Sequence, residues 1–349
     1  MTRILRVNPL NPSVDAIHEA ARAIIDGGTV AFPTETVYGL GASAFNPAAV
    51  RKVFEIKGRP SDNPAIVHIA SIEQLNDVAA PVSDELLSKF KILWPGPITF
   101  VLKGNGKLPK EVTGGLDTVS VRMPAHTVAL RLIEAAGVPI AAPSANISGR
   151  PSSTLASHVI ADMDGKVDFI LDGGNTIFGL ESTIIDLTKE RPRLLRPGAY
   201  TVEELSKYFE ELDTSDIIIS ANEAPPSPGL KYKHYAPEKR LVVARDAELM
   251  VEAADALRGK KILFICSDET AKLLPSGSMR LAIGSRSDLY RIAQNLFDSL
   301  RKIDRSDAEI AVIEPFPERG IGLAVMNRMR KAANMLTADS VESIAKLLG

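Results

Sequence analysis

At 349 residues the chain is longer than one ordinary domain, and its 41 Lys and Arg stand against 43 Asp and Glu. Divided at Glu211, the first part holds 21 basic and 24 acidic residues and the rest 20 and 19, which disfavours nucleic-acid binding through bulk charge while leaving room for a local basic cleft. Cys266 is the single cysteine, which excludes a disulfide framework within the chain and any Cys-based zinc site; set in Ile262-Leu263-Phe264-Ile265, it reads as a buried structural thiol. No apolar run approaches the roughly 20 residues that span a bilayer, and the first residues lack the pattern of a signal peptide. A cytoplasmic protein with no membrane association is the expectation.

In chain order, residues 3–7 read as a strand and 13–25 as an amphipathic helix with Val14, Ile17, Ala21, Ile24 and Ile25 on one face, stopped by Gly27-Gly28. Residues 29–32 form a buried strand that delivers a turn, Pro33-Thr34-Glu35-Thr36, followed by Val37-Tyr38-Gly39-Leu40-Gly41. Residues 47–56 make a helix whose exit carries Lys57 and Arg59, so two cations stand beside that turn. Strands at 65–69, 99–102 and 118–123, a helix at 83–93 and a rigid turn at Trp94-Pro95-Gly96-Pro97 come next. In 118–123 strict alternation sets Val119, Val121 and Met123 against Ser120 and Arg122, which predicts a half-buried strand with Arg122 turned from the core.

A helix at 126–136 and a strand at 138–142 empty into Pro143-Ser144-Ala145-Asn146-Ile147-Ser148-Gly149. Strands at 167–171 and 182–187 follow, then a closing helix at 201–212 with Thr201 and Glu204 as a capping box. This irregular mixture predicts an α+β domain on a mixed sheet, residues 1–212. Residues 213–240 read as a linker, since Ala224-Pro225-Pro226-Ser227-Pro228-Gly229 cannot continue a helix. Its aromatic and basic run Leu230-Lys231-Tyr232-Lys233-His234-Tyr235 is unlike a passive spacer. From residue 241 to 349 strands at 241–244, 262–265, 280–283 and 309–313 alternate with helices at 246–258, near Glu269, at 287–303 and at 323–333, which predicts a small Rossmann-like parallel α/β domain.

Absences narrow the chemistry. The chain has no phosphate loop of the G-x-x-x-x-G-K-[ST] type, no G-x-G-x-x-G after a strand, no G-x-S-x-G elbow, and no metal-spaced pair among its five histidines. What remains is a set of cations, Lys57, Arg59, Arg122 and Arg196, with Thr34, Ser144, Asn146 and Ser182 at strand and helix ends. Such a set stabilises a polyphosphate or acyl phosphate by charge-assisted hydrogen bonds. Each residue also has an ordinary reading: a surface charge for Arg122, turn or capping residues for Thr34, Ser144 and Asn146, a core imidazole for His68, a buried anchor for Tyr235.

Taken together, Pro33 to Gly41, Lys57-Gly58-Arg59-Pro60 with Asn63-Pro64, Trp94-Pro95-Gly96-Pro97-Ile98-Thr99, Ser120-Val121-Arg122-Met123-Pro124, Ala142 to Gly149 and Leu195-Arg196-Pro197-Gly198 resemble the YrdC-like threonylcarbamoyl-adenylate synthases, and the tail resembles their two-domain long form. The resemblance covers essentially the whole chain. It implies a catalytic domain with a concave groove, and synthesis of threonylcarbamoyl-AMP and pyrophosphate from L-threonine, bicarbonate and ATP, with Mg2+ arriving on ATP. The product serves threonylcarbamoyl modification of the adenosine beside the tRNA anticodon, through a downstream transferase machinery, and weak tRNA binding is an associated expectation.

The family's K-x-R and S-x-N pattern falls on Lys57, Arg59, Ser144 and Asn146. By the same resemblance the ATP site comprises these four with Asn63, Thr118, Ser152, Arg196 and Tyr235, the last on a lid laid over the nucleotide. Threonine falls to Thr34, His68, Arg122, Ala142 and Ser182. The competing reading from another class is a non-catalytic module binding tRNA or double-stranded RNA, against which the acidic balance of the first part weighs.

Overall fold

In the computed structural model of the chain, residues 1–60, 62–215 and 235–348 are described. They form two compact units, one of residues 1–148 and 152–215 and one of residues 149–151 and 235–348. Residues 216–234, most of the linker and lid expected at 213–240, lie outside the described residues.

The first unit is built on a ten-stranded sheet. Its strands are β1 (Arg3–Arg6), β2 (Val30–Phe32), β3 (Gly39–Ser43), β4 (Ile66–His68), β5 (Ile98–Lys103), β6 (Thr118–Arg122), β7 (Ile140–Ala141), β8 (Phe169–Asp172), β9 (Thr183–Asp186) and β10 (Arg193–Arg196), in the spatial order β1-β8-β2-β3-β7-β4-β6-β5-β9-β10. Parallel pairs (β1 and β2 with β8, β4 with β6, β5 with β9) alternate with antiparallel ones (β2 with β3, β7 with β3 and β4, β5 with β6, β10 with β9), the mixed sheet that the irregular order of elements predicts.

The pleat divides the core in two. Val30 and Phe32 point to one side, where Ile17, Ala20, Ala21 and Ile24 of the helix Val14–Ile25 meet Val128, Ala129, Leu132 and Ile133 of the helix Thr127–Ala136. Ala31 points to the other, joining Val50, Val53 and Phe54 of the helix Pro47–Lys57 and Phe90 and Leu93 of the helix Asp84–Leu93. Each Val, Leu, Ile or Phe among them stabilises by roughly 1.5–3 kcal/mol on full burial.

Four sequence expectations need correction. Val14 and Ile25 are exposed at 64% and 58%, because the buried stripe runs through residues 17, 20, 21 and 24, and Ile25 lies one residue round from it. The strand Gly39–Ser43 is additional to the strands expected from sequence. Glycine disfavours strands in general, but here a Cβ on Gly41 would stand 2.5 Å from Ile140 and 2.8 Å from the Phe32 ring, so only a bare backbone fits beneath them. The closing helix spans only Val202–Leu205, with its capping box in place, since Phe209 turns into the core within 6.2 Å of the Phe100 ring instead of continuing the helix. Finally, β6 is buried on both faces: Ser120 and Arg122 are each 3% exposed.

The second unit carries β11 (Arg240–Ala244), β12 (Ile262–Cys266), β13 (Met279–Ala282), β14 (Ile310–Ile313) and β15 (Thr337–Ala338), all parallel in the order β13-β12-β14-β11-β15. The Rossmann-like alternation is therefore as expected, with an additional short strand and the helix Val341–Ala345 beyond it. Cys266 is fully buried at the end of β12, and burial pushes its thiol up to about 12. A Cys held there is an inert structural residue. No helix among the described residues is long and apolar enough to cross a membrane.

Candidate active site

A cleft opens over the sheet of the first unit. Its floor is a sheet face. Ile66 and His68 alternate on β4, and the register sets Ile66 opposite Ser120 and His68 opposite Arg122, so the polar side of β6 faces the cleft and not water. The same face carries Phe32, whose ring meets His68 edge-on at 6.1 Å. The structure brings Thr34, His68, Arg122, Ala142 and Ser182 together in the lining, along with Arg59, Ser144 and Arg196.

Each side chain is held by local geometry. Thr34 closes the turn after β2, its hydroxyl donating to the Val37 carbonyl at 2.6 Å and accepting from the Thr36 and Val37 amides. His68 is 3% exposed, and burial, followed by the Arg122 charge, drives its pKa down to about 3, so the imidazole is neutral at physiological pH. Arg122 donates from Nη1 to Thr36 Oγ1 at 2.8 Å and from Nε to the Gly96 carbonyl at 3.3 Å, and Nη2 faces Glu35 Oε2 at 2.7 Å. Ser182 enters β9 with its hydroxyl 2.8 Å from Thr99 Oγ1; Arg196 donates to its carbonyl at 3.0 Å and to its hydroxyl at 3.1 Å. Gly198 permits this contact, because a Cβ there would lie 2.4 Å from the Thr183 amide nitrogen.

The K-x-R pair divides into two situations. Lys57 is the last residue of its helix and 2% exposed; Gly58 ends that helix in the left-handed conformation at φ 62°. Lys57 Nζ donates to the carbonyls of Ser144 and Asn146, and its own carbonyl accepts from the Ser148 amide at 2.8 Å, so it braces the S-x-N loop and is not among the cleft-lining residues. Arg59, past the helix end, does line the cleft, steadied by the carbonyls of Asn63 at 3.2 Å and Pro64 at 2.9 Å.

The other expected nucleotide contacts are not among the cleft-lining residues. Asn146 is 5% exposed in the braced loop, Asn63 is buried and meets Arg59 through its carbonyl, and Ser152 donates its hydroxyl to Glu181, which lines the cleft. Thr118 starts β6 opposite Lys103, at the far end of the strand from Arg122. Tyr235 belongs to the second unit, where it is 4% exposed with φ 65°, its ring 5.1 Å from Phe297 and the Arg328 guanidinium above it at 5.9 Å. Thr36, Tyr38, Gly39 and Glu181 also line the cleft, and Glu35 stands behind Arg122; none of them was singled out from sequence. The signal for Glu35 was its place between two threonines in a turn leaving a wholly apolar strand.

Three guanidinium groups around hydroxyls and a neutral imidazole suit oxyanions at more than one point, with no need of a strong general base. Two family profiles cover most of the chain: one described as Telomere recombination (Sua5/YciO/YrdC) over residues 22–198, and one described as Threonylcarbamoyl-AMP synthase, C-terminal domain, over 200–334. The threonylcarbamoyl-AMP synthase of Pyrococcus abyssi is 46% identical over 329 residues, spanning 91% of this chain and 94% of that one. The chain belongs to the Sua5 family of threonylcarbamoyl-AMP synthases.

The Sua5 family likeness extends to the synthase of Bacillus subtilis, 43% identical over 91% of this chain and 92% of that one. In three dimensions the chain is similar to P. abyssi Sua5 in its crystal structure with L-threonine, at a TM-score of 0.91 and 44% identity, over 97% of this chain and 99% of that one. The Sua5 assignment thus spans both units, including the Rossmann-like one.

Proposed function

We propose that the chain condenses L-threonine, bicarbonate and ATP into threonylcarbamoyl-AMP and pyrophosphate. The observation that carries this reading is the convergence of Arg59, Arg122 and Arg196 on one cleft in a member of the Sua5 family. Threonine's amine adds to bicarbonate with loss of water to give a carbamate. A carbamate oxygen then attacks the α-phosphorus of ATP, and the bond to the bridging oxygen breaks, releasing pyrophosphate. The nucleophile is anionic from the outset, so positioning and charge neutralisation dominate.

In this scheme Arg122 receives the threonine carboxylate, with Thr34, His68, Ala142 and Ser182 shaping its surroundings. A neutral His68 suits that place, since it offers a hydrogen bond without adding a cation beside Arg122. Arg59 and Arg196 meet the phosphates and the carbamate, and Ser144 and Asn146 fix the phosphates on a loop that Lys57 holds in shape. Asn63, Thr118 and Ser152 complete the first unit's share of the nucleotide assignment. Magnesium would enter on the ATP phosphates. The donor set does not make a protein cage for it, because no group of three His, Cys, Asp or Glu among the described residues could hold a metal ion, and Mg2+ commonly keeps phosphate and water ligands. The product would pass to a transferase that modifies the adenosine beside the tRNA anticodon.

Pyrophosphate release from ATP with magnesium, omitting threonine or bicarbonate in turn, tests the reading. Release that requires both supports it; a folded, nucleotide-binding sample without that dependence overturns it. Salt-sensitive RNA binding without turnover would instead mark a non-catalytic RNA module.

A further inference from the structure

Glu35 is 1% exposed and is not among the residues lining the cleft. Its backbone is fixed, since its carbonyl accepts the amides of Ile177 at 3.1 Å and Phe178 at 2.8 Å. Its carboxylate faces Arg122, with Oε2 2.7 Å from Nη2, and neither oxygen receives a well-aligned hydrogen bond from any other group among the described residues. A carboxylate so far from water is costly unless a cation stands against it. The two charges therefore hold one another in place, and Thr36 and Gly96 fix the remaining nitrogens of the same guanidinium.

The consequence is electrostatic as well as steric. The cleft must accept a highly charged triphosphate, and every uncompensated cation in it is a place where phosphate oxygens can settle. With Glu35 behind it, Arg122 carries little net charge into the cleft, while its planar fork still offers N–H groups of fixed direction. A monocarboxylate of a zwitterion suits such a partner better than a polyphosphate does. We infer that Glu35 is a positioning residue that reserves Arg122 for the amino-acid carboxylate and keeps polyphosphate off it. This rests on the proposed placement of threonine at Arg122.

The test uses the full chain with Mg-ATP, following threonine-dependent incorporation of radiolabelled bicarbonate into the adenylate, with inorganic tripolyphosphate as the polyphosphate probe. Wild-type turnover that depends on threonine secures the underlying reaction, and its absence would count against the proposed function and not against Glu35 alone. In Glu35→Gln the threonine KM rises about tenfold or more while the ATP KM stays within about twofold, and tripolyphosphate becomes a competitive inhibitor against threonine, which it is not in wild type. In an Arg122→Gln background the Glu35→Gln change adds no further threonine defect. A threonine KM unchanged in Glu35→Gln, threonine and ATP KM values rising together, or additive effects in the double variant would each overturn the inference. Should Glu35→Gln fail to fold, Glu35→Asp keeps the charge and withdraws it by one methylene: a raised threonine KM without tripolyphosphate competition supports the role, and an unchanged KM overturns it.

Discussion

Replacing Lys57 with Met separates a brace from a phosphate ligand. Methionine keeps most of the aliphatic stem, so packing around the buried side chain is little altered. What is lost is the pair of charge-assisted bonds from Nζ to the Ser144 and Asn146 carbonyls. Hydrogen bonds to a charged group contribute about 1.5–3 kcal/mol each, so the two together amount to roughly 3–6 kcal/mol. Against a typical total of about 5–15 kcal/mol this lowers the urea midpoint visibly, by about 1–2 M at a slope of about 3 kcal/mol/M, the upper end of the usual range for a chain of this size. Ser144 lines the cleft, so a loosened loop also lowers turnover. The assay is paired: urea unfolding followed by circular dichroism, and pyrophosphate release with ATP and threonine varied separately. Arg59→Ala is the contrast, with most of its effect on ATP affinity and little on stability, since Arg59 is only half-buried and lies past the helix end. If Lys57→Met left the urea midpoint where it was and raised only the ATP KM, the brace would be refuted and a direct phosphate contact restored.

Two further outcomes follow from the same geometry. His68, held near 3 by burial and by Arg122, stays neutral in the folded chain while the unfolded chain takes up a proton below about 6.5. Its contribution is therefore complete above that value and is lost as pH falls toward 3: stability at pH 5 should be about 2 kcal/mol below that at pH 7, and His68→Asn should flatten the difference in urea midpoints. His126, also lowered chiefly by burial, adds in the same direction, so a midpoint unchanged between pH 7 and pH 5 would contradict both placements. Gly198→Ala drives a Cβ to 2.4 Å from the Thr183 amide nitrogen and 2.7 Å from its hydroxyl. Overpacking of this kind costs about 1–3 kcal/mol, read as a melting temperature lower by several degrees, and a melt identical to wild type would show that the β9–β10 junction yields freely.

Legibility followed the local character of each signal. The second unit was readable because runs such as Ile262–Cys266 and Ile310–Ile313 are apolar, isolated and bounded by polar helices, so strand and helix periods do not compete. Gly39–Ser43 was unreadable for the opposite reason: its fitness as a strand lies in the space left by Phe32 and Ile140, which no local propensity encodes. The helix begun at Thr201 had a correct start signal and no local stop, since what ends it is the inward turn of Phe209. Within the site, cations at element ends were visible one by one. Lys57 was legible as a functional position but not as an internal donor, because helix-end lysines normally face water.

Arg122 shows what the ambiguity consisted of. Alternating polar and apolar residues state that the two faces of a strand meet different surroundings; they do not state that the polar surroundings are water. β6 has neighbours on both edges and no solvent-facing side, so its polar face had to be either a satisfied network or the wall of a cleft. The network is incomplete: Ser120 Oγ, His68 Nδ1 and both Glu35 carboxylate oxygens lack well-formed hydrogen bonds among the described residues, although Glu35 stands in an ion pair with Arg122. Buried polar atoms left in that condition are costly and are usually explained by function. A polar alternation on a strand with neighbours on both edges is thus a pointer to a ligand-facing floor, and a buried carboxylate in the neighbouring turn, here Glu35, is the group to examine for what holds its arginine.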